Sequence, residues 1–458
     1  MCIVQRFNFI QRHTPPSLYK DTAKKMGDLI YSTAFDIFHI DREDDTLDLK
    51  GARARLENPM RYGGFGMTNP VQFRLEAFLA GIGDSIDDLK ASHPRQYNFI
   101  VNELLLKAYD ENDPANKVID RDYFHYDVHR SLYKVRVNIA EGRKLGLLKD
   151  MSDDELKKTF PSTASQLLQP HKRLQRTLTN LTQDILYKKF FASLDDKGRA
   201  LNLSESSPGA SAFLHAVPSS ANLFMPDEFF RVAARDRLGL PPLNGPVPEC
   251  NNPNCALYHG STHADPDSAA RELRRHRHGM GACSRHARVV KQITEMFRAA
   301  NIPTTVEPMV RRPDLRGDIA ETRTNGHGYK TIYDVSITET TRSDTLSRAA
   351  KTAGAAAAES KKHKNNKYLG ACKAINAHFY PLIFETSGFI DKSVFDLIAQ
   401  ISGSLPNQAE HIPEFTTWAA PTFKQYWLQR ISIAVRGGSA EMSVRNWKQR
   451  LGGQAVGF

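Results

Sequence analysis

Two aspartates in the C-terminal third of the sequence, Asp318 and Asp334, have the spacing of a metal-binding pair. They flank a turn at Asn325-Gly326, and strand-like segments on both sides of such a turn predict a β-hairpin. A hairpin centred on Gly326 makes the two aspartates cross-strand neighbours, with Cβ atoms about 5 Å apart. Like charges at that distance are unfavourable unless a cation lies between them. Oxygen ligands suit Mg²⁺ or Mn²⁺, and such a metal can activate water for phosphodiester cleavage.

Two alternatives apply to this acid pair. Asp314 competes with Asp318 as the first acid, although the hairpin spacing favours Asp318. The pair could also be two solvated aspartates on a surface hairpin. Ile332 and Val335 instead predict a largely buried strand, in which Asp334 without a partner would be costly.

Phosphodiester cleavage also needs a cation that polarises the attacked phosphate. The segment from about Thr345 to Ala377 has helical spacing and supplies Lys367, our first candidate, and Lys364 on the same face. The following strand ends in Glu385, a further candidate catalytic residue for the same cleft. A helix, a strand, a hairpin, a helix and a strand in this order predict an α/β domain with the acids at its centre.

Cysteines and a histidine upstream of the acid pair have the spacing of zinc ligands. Two ligand pairs, each separated by four residues, are formed by Cys250, Cys255, His278 and Cys283. Four protein ligands predict a structural rather than a catalytic zinc. The imidazole ligand is left open, because other histidines lie nearby: His259, His263, His276 and His286.

Basic residues surround the predicted zinc module. The net charge of +11 and the isoelectric point of about 9.3 indicate a polyanionic partner, of which DNA is the first candidate. We therefore predict a phosphate-contacting surface that comprises Arg274, Arg275, Arg277, Arg285, His286, Arg288 and Arg312.

The length of 458 residues predicts two or three domains. We expect a mainly α-helical N-terminal half with boundaries at 1–110 and 111–243, a small zinc-binding module at 244–287 and an α/β domain at 288–458. No apolar segment is long enough to span a bilayer, so no membrane partner is expected. Five cysteines, three of them clustered, suit metal binding in a reducing compartment, and the N-terminus does not have the pattern of a secretory signal. The expected location is intracellular.

Several segments, in this order along the chain, carry a resemblance to one family: Phe7–Pro16, Gly63–Gly66, Ser206–Leu214, Arg235–Pro241, Arg285–His286, Arg312–Asp314, Asp318, Asp334–Ser336 and Lys367–Tyr368. Together they resemble the C-terminal region of non-LTR (LINE-type) retrotransposon reverse transcriptases. In some lineages of that group, a zinc knuckle precedes a restriction-endonuclease-like domain of the PD-(D/E)XK class. The resemblance extends over nearly the whole chain.

The resemblance implies a thumb-like region at 1–110, a helical connector at 111–243, a zinc knuckle at 244–287 and a PD-(D/E)XK domain at 288–458. The implied activity is that of a metal-dependent endonuclease that nicks DNA in the nucleus. Element RNA and a reverse transcriptase acting in trans are the further implied partners. The alternative is a catalytically inactive, zinc-containing nucleic-acid-binding protein derived from the same element.

Three features depart from the family pattern. The sequence contains no Tyr/Phe-x-Asp-Asp palm motif, so we do not expect it to copy nucleic acid. The usual lysine two residues after the second acid is replaced by Ser336, which requires a lysine on the following helix to substitute. An insert between the zinc pairs and the short gap between Cys283 and His286 leave the zinc ligand set open.

Overall fold

The computed structural model describes residues 9–106, 123–243, 280–310, 312–322, 328–405, 417 and 419–450. The chain forms two compact units, one comprising Met1–Ala34 and Met67–Ser193, the other Phe35–Gly66 and Leu194–Phe458. The fold is mixed α/β with a small four-stranded sheet, which confirms the predicted fold class at that level.

The helices and strands are numbered in chain order. The helices are α1 (Lys20–Ile37), α2 (Leu49–Glu57), α3 (Pro70–Ser92), α4 (Pro94–Leu106), α5 (Tyr123–Lys144), α6 (Asp153–Thr159), α7 (Ala164–Leu167), α8 (Leu174–Ser193), α9 (Asp196–Glu205), α10 (Ala212–His215), α11 (Asp227–Arg237), α12 (Met280–Ala299), α13 (Leu346–Ala349), α14 (Ala355–Ala374), α15 (Lys392–Ser404) and α16 (Phe423–Arg450). The strands are β1 (Thr304–Val306), β2 (Met309–Val310), β3 (Arg312–Arg316), β4 (Ile319–Thr322), β5 (Tyr329–Thr338) and β6 (His378–Glu385). Within these described ranges, no helix is long and apolar enough to cross a membrane.

The unit that contains Met67–Ser193 is helical throughout its described part. Apolar residues three or four positions apart give α8 one buried face, formed by Leu174, Leu178, Leu181 and Ile185. This face packs against Phe78 and Leu79 of α3 and Val128 and Leu132 of α5. Burial of these side chains stabilises the unit by roughly 1.5–3 kcal/mol each.

The unit that contains Leu194–Phe458 is built around the sheet, whose strand order is β1-β4-β5-β6. The pairs β1/β4 and β4/β5 are antiparallel, whereas β5/β6 is parallel. Side chains alternate across β5. Tyr333 and Val335 therefore pack in the core that includes Ile293 of α12, while Ile332 packs with Tyr368 of α14 on the opposite face. The sheet is thus covered by helices on both faces, and β5 is buried between them.

Most elements of this unit match the sequence-based predictions, with one exception. We expected one helix from about Thr345 to Ala377, but the structure has two, α13 and α14. The break lies at Gly354, whose φ of +75° is in the left-handed region that favours glycine. A Cβ atom at this position would overlap the ring of Phe389. The prediction of a continuous helix was therefore wrong because a long-range contact and a left-handed residue start α14 at Ala355.

The glycine-rich turn at Gly63–Gly66 is tied to the segment around Arg237. The Arg237 guanidinium is fully buried, and its Nη2 donates to the Gly64 carbonyl oxygen at 3.0 Å. Burial lowers the pKa of Arg237 to about 10, and the nearby Glu205 carboxylate opposes this shift. Two segments that carry the family resemblance, far apart in sequence, are therefore joined by one buried arginine.

Candidate functional site

The predicted hairpin is confirmed by the pairing of β4 with β5, in which Ile319 lies opposite Tyr333 and Ala320 opposite Ile332. Asp318 immediately precedes β4, and its backbone N–H donates to the Tyr333 carbonyl oxygen at 3.0 Å. Its side-chain Oδ2 accepts a hydrogen bond from the Val335 backbone N–H at 2.6 Å. Asp318 is therefore hydrogen-bonded to the two residues on either side of Asp334, so the two aspartates lie opposite each other across the hairpin.

The Asp334 carboxylate is buried, with 3% of the residue exposed. Burial raises its pKa, Lys364 opposes this effect, and the negative charge of Asp318 adds to it. The Lys364 Nζ lies 2.6 Å from Asp334 Oδ2. Lys364 and Tyr368 also lower the pKa of Asp334 as hydrogen-bond donors to its carboxylate. The Lys364 ammonium therefore offsets part of the cost of burying the Asp334 carboxylate.

The structure brings Lys364, rather than Lys367, to the acid pair. Lys367 is exposed, and its Nζ lies 4.9 Å from the ring centroid of Tyr368. The Ser336 Oγ lies 3.0 Å from the Oγ of Ser360, which precedes Lys364 by one turn on the same face of α14. The helix therefore approaches β5 at Ser336, and its next turn places the Lys364 ammonium at Asp334.

His286 lies at the other side of the acid pair, although we had predicted it as a nucleic-acid contact. Its Nε2 lies 3.1 Å from Asp318 Oδ2 and 3.2 Å from the Val335 carbonyl oxygen. Both atoms are acceptors, so the geometry assigns a proton to Nε2. The hydrogen bond to Asp318 is the main reason why the pKa of His286 is raised. Sequence reasoning missed this contact, and the adjacent Arg285-His286 motif was the only signal for it.

A cleft of about 370 Å³ leads away from the acid pair along α12. Asp318 and His286 lie in its wall, as do the exposed Lys291, Arg298 and Val306. The cleft is therefore open to solvent, and its lining carries the cations Lys291 and Arg298 beside the acids Glu295 and Glu307.

The other predicted nucleic-acid contacts differ in their placement. Arg285 is 8% exposed, and its Nη1 lies 3.5 Å from the Ser439 Oγ, so this side chain packs inside the unit. Arg288 is half exposed and pairs with Glu441 at 2.5 Å. Arg312 and Asp314 belong to β3, but their side chains are not described. Residues outside the described ranges are Arg274, Arg275 and Arg277.

The predicted zinc ligands Cys250, Cys255 and His278 lie outside the described residues. Cys283 is described and is an exposed free thiol near the start of α12. Within the described ranges, no group of three or more His, Cys, Asp or Glu side chains is arranged to hold a metal ion.

Glu385, the further candidate catalytic residue, lies away from the acid pair. It is in register with Thr338 on β5, whereas Asp334 is in register with Pro381. Its Oε1 accepts a hydrogen bond from the Ala357 backbone N–H at 3.1 Å, in the first turn of α14. Only 1% of the residue is exposed, and burial raises its pKa to about 7. The placement indicates that Glu385 supports the start of the helix that carries Lys364.

Replacement of Glu385 by glutamine is expected to make stability less dependent on pH. The folded-state pKa of about 7 exceeds the ordinary value of 4.5, so the wild-type protein loses stability as pH rises between these values. The loss above neutral pH is at most about 3 kcal/mol. Glutamine keeps an oxygen acceptor for Ala357 and carries no charge. Thermal unfolding at mildly acidic and mildly alkaline pH should therefore show a smaller decrease for Glu385→Gln than for the wild type, and an equal decrease would contradict this.

No protein-family model and no curated protein matches this chain. Its function must therefore be inferred from the acid pair and its surroundings.

Proposed function

We propose that this chain is a metal-dependent endonuclease that nicks DNA, with a restriction-endonuclease-like domain of the PD-(D/E)XK class and a retrotransposon origin. The observation that carries the proposal is the meeting of three side chains at one end of the β4/β5 hairpin. Asp318 and Asp334 lie side by side there, and the Lys364 Nζ is 2.6 Å from Asp334.

The order of elements around the acid pair supports this proposal. Helix α12, strand β1, the β4/β5 hairpin, helix α14 and strand β6 occur in this order along the chain, with the β2/β3 pair between β1 and β4 and with α13 before α14. This is the helix, strand, hairpin, helix and strand order that the sequence predicts for the nuclease domain. The acids come from the central hairpin and the lysine from the helix that covers β5, so the chemistry lies where these elements meet.

The two carboxylates fit a magnesium or manganese ion. Asp334 is buried, and repulsion from the nearby Asp318 carboxylate raises its pKa. Mg²⁺ is usually bound by one or two carboxylates together with waters and substrate phosphates. The Asp318 and Asp334 carboxylates would therefore suit this ion, with waters and the substrate phosphate as its other ligands. When bound, the metal would supply an activated water and offset charge on the leaving oxygen.

Each neighbouring side chain has a distinct part in the proposed reaction. The Val335 N–H and His286 both engage Oδ2 of Asp318, which fixes the carboxylate and leaves Oδ1 for the metal. Lys364 is placed to bind a non-bridging oxygen of the attacked phosphate and to stabilise the negative charge that develops on it. The cations of the cleft, Lys291 and Arg298, would bind neighbouring phosphates.

Structural zinc held by Cys250, Cys255, His278 and Cys283 belongs to the same proposal. A nuclear location and the binding of element RNA by the helical N-terminal region are also part of this proposal. The cleavage reaction is the part that one experiment tests most directly.

Purified full-length protein should convert supercoiled plasmid to the open-circular form when Mg²⁺ or Mn²⁺ is added, and should not do so when both are omitted. Gel electrophoresis over a time course measures this conversion. DNA binding measured in parallel should weaken steeply with salt because phosphate contacts release counterions. Salt-sensitive binding without nicking in either metal would refute the nuclease and support a nucleic-acid-binding protein, in which Ser336 marks the lost lysine position.

A further inference from the structure

Another cavity, of about 250 Å³, lies between α12, α16 and the segment that leads into α11. One wall is apolar and aromatic and contains Phe224, Met225 and Phe229. Phe224 is 52% exposed. A large aromatic ring at the mouth of a cavity offers a flat surface on which another ring can stack.

The opposite side of this cavity is cationic, and its described lining contains no acid. Arg288, Lys291 and Arg430 contribute to it. Arg288 already pairs with Glu441 at 2.5 Å. Lys291 is freer, since its Nζ is 3.8 Å from Glu295 and its side chain is 67% exposed. Lys291 is therefore the cation that can bind an anionic group at the cavity rim. The cavity also contains the amide side chains of Asn222 and Gln292, of which the Gln292 Oε1 already accepts a hydrogen bond from the Arg430 Nε at 2.7 Å.

The floor of the cavity contains Gly437, in the middle of α16, where glycine is less favourable than almost any other residue. Its neighbour Gly438 has a packing reason, because a Cβ atom there would come within 2.9 Å of the Arg285 Cγ. At Gly437 the atoms nearest to an added Cβ would be those of the Met225 side chain, at 3.4 Å or more, which is ordinary van der Waals contact. A methyl group would therefore fit here, whereas a larger side chain would extend into the cavity.

The cavity adjoins the acid pair through α12. Lys291 lines both this cavity and the cleft that contains His286 and Asp318. His286 and Lys291 are separated along the helix by about 7.5 Å, from the rise of 1.5 Å per residue. A nucleic-acid strand that follows α12 from Asp318 would therefore reach the cavity within a few nucleotides.

We propose that this cavity binds the base of one unpaired nucleotide in the strand that passes the acid pair. The aromatic wall would stack on the base, the Asn222 amide would bind its edge, and Lys291 would bind the adjacent phosphate. A base inside an intact duplex cannot enter such a cavity and must be unpaired or flipped out. The link to cleavage rests on the proposed nuclease function, whereas base binding does not.

The test compares two fluorescently labelled duplexes that differ only by one unpaired nucleotide. Their affinities for full-length protein are measured by anisotropy without added Mg²⁺ or Mn²⁺, so that cleavage plays no part. The wild type should bind the duplex with the unpaired nucleotide about 10-fold more tightly than the perfect duplex, since stacking of one base is worth this much. Phe224→Ala should remove the preference, and Gly437→Leu should do so by filling the cavity.

Two control variants separate base binding from general damage. Phe99→Ala removes an aromatic side chain that is 65% exposed in the other compact unit, and it should keep the preference. Gly437→Ala adds only one methyl group and should keep the fold and most of the preference. Equal binding of both duplexes by the wild type would overturn the proposal, as would an unchanged preference in Phe224→Ala. A preference without any plasmid nicking would retain the base site and refute the nuclease.

Discussion

Replacement of Asp334 by asparagine is expected to lower the rate of plasmid nicking at least about 100-fold, more than is typical for loss of a residue that only supports a metal ligand. Asparagine has nearly the same size but lacks the charge that holds a divalent cation against Asp318. Asp334 is 3% exposed and its pKa is raised by burial, so the native site keeps this charge at a cost that a bound metal would offset. The rate of open-circle formation at saturating Mg²⁺ measures the effect.

The fold should survive this substitution. Asparagine removes a buried charge, and its partner Lys364 keeps contact with solvent because 23% of its side chain is exposed. We expect the free energy of unfolding to fall by about 1–3 kcal/mol, because the substitution breaks a partly buried ion pair. The matched control is Asp344→Asn, which removes an exposed aspartate paired with Arg342 and should leave nicking unchanged. Wild-type rates in Asp334→Asn, or equal losses in both variants, would exclude the acid pair as the catalytic centre.

Replacement of Lys364 by methionine is expected to lower the nicking rate about 100-fold, as removal of a single charge-stabilising donor does in other enzymes. Methionine retains the aliphatic part of the side chain and removes the ammonium group 2.6 Å from Asp334. Lys367→Met is the matched control, because it changes a lysine three residues later that is exposed and lies over Tyr368. Single-turnover nicking rates of the two variants compare the two lysines directly.

The pH dependence of the nicking rate gives a second measure of the role of Lys364. The positive charge of Lys364 lowers the pKa of Asp334 against the upward effect of burial. Asp334 must be ionised to hold a metal, so activity should rise with pH as this carboxyl loses its proton. Without Lys364 the pKa rises further, and the acid side of the pH–rate profile should move to higher pH. Lys367→Met should show no such movement. A larger loss in Lys367→Met than in Lys364→Met would assign the role to the other lysine.

Local patterns in the sequence were sufficient to predict the elements that carry the site. The Asn-Gly turn and the alternating strands predicted the β4/β5 hairpin, and its register is confirmed by the pairing of Ile319 with Tyr333. Apolar spacing predicted α12 and most of α14. These features depend on contacts between residues close in sequence, where helical and strand periodicities apply directly. The juxtaposition of Asp318 and Asp334 followed from the hairpin alone.

Contacts between residues far apart in sequence could not be predicted from local sequence patterns. Lys364 and Lys367 share a helix face, and the packing of α14 on the sheet, which includes the contact of Ser360 with Ser336, decides that Lys364 reaches Asp334. Glu385 ends a strand as predicted, yet the parallel register of β6 with β5 places it at Thr338 instead of Asp334.

The sequence by itself determined that two acids meet on a hairpin within a basic chain. The tertiary structure decided which partners surround them: Lys364 from α14 and His286 from α12. The physical reason is that hairpin register is set by the turn and the residues beside it, whereas the rotation and position of a helix on a sheet are set by the whole buried interface. No short segment of sequence contains that interface, so the choice of lysine and the placement of the histidine required the folded chain.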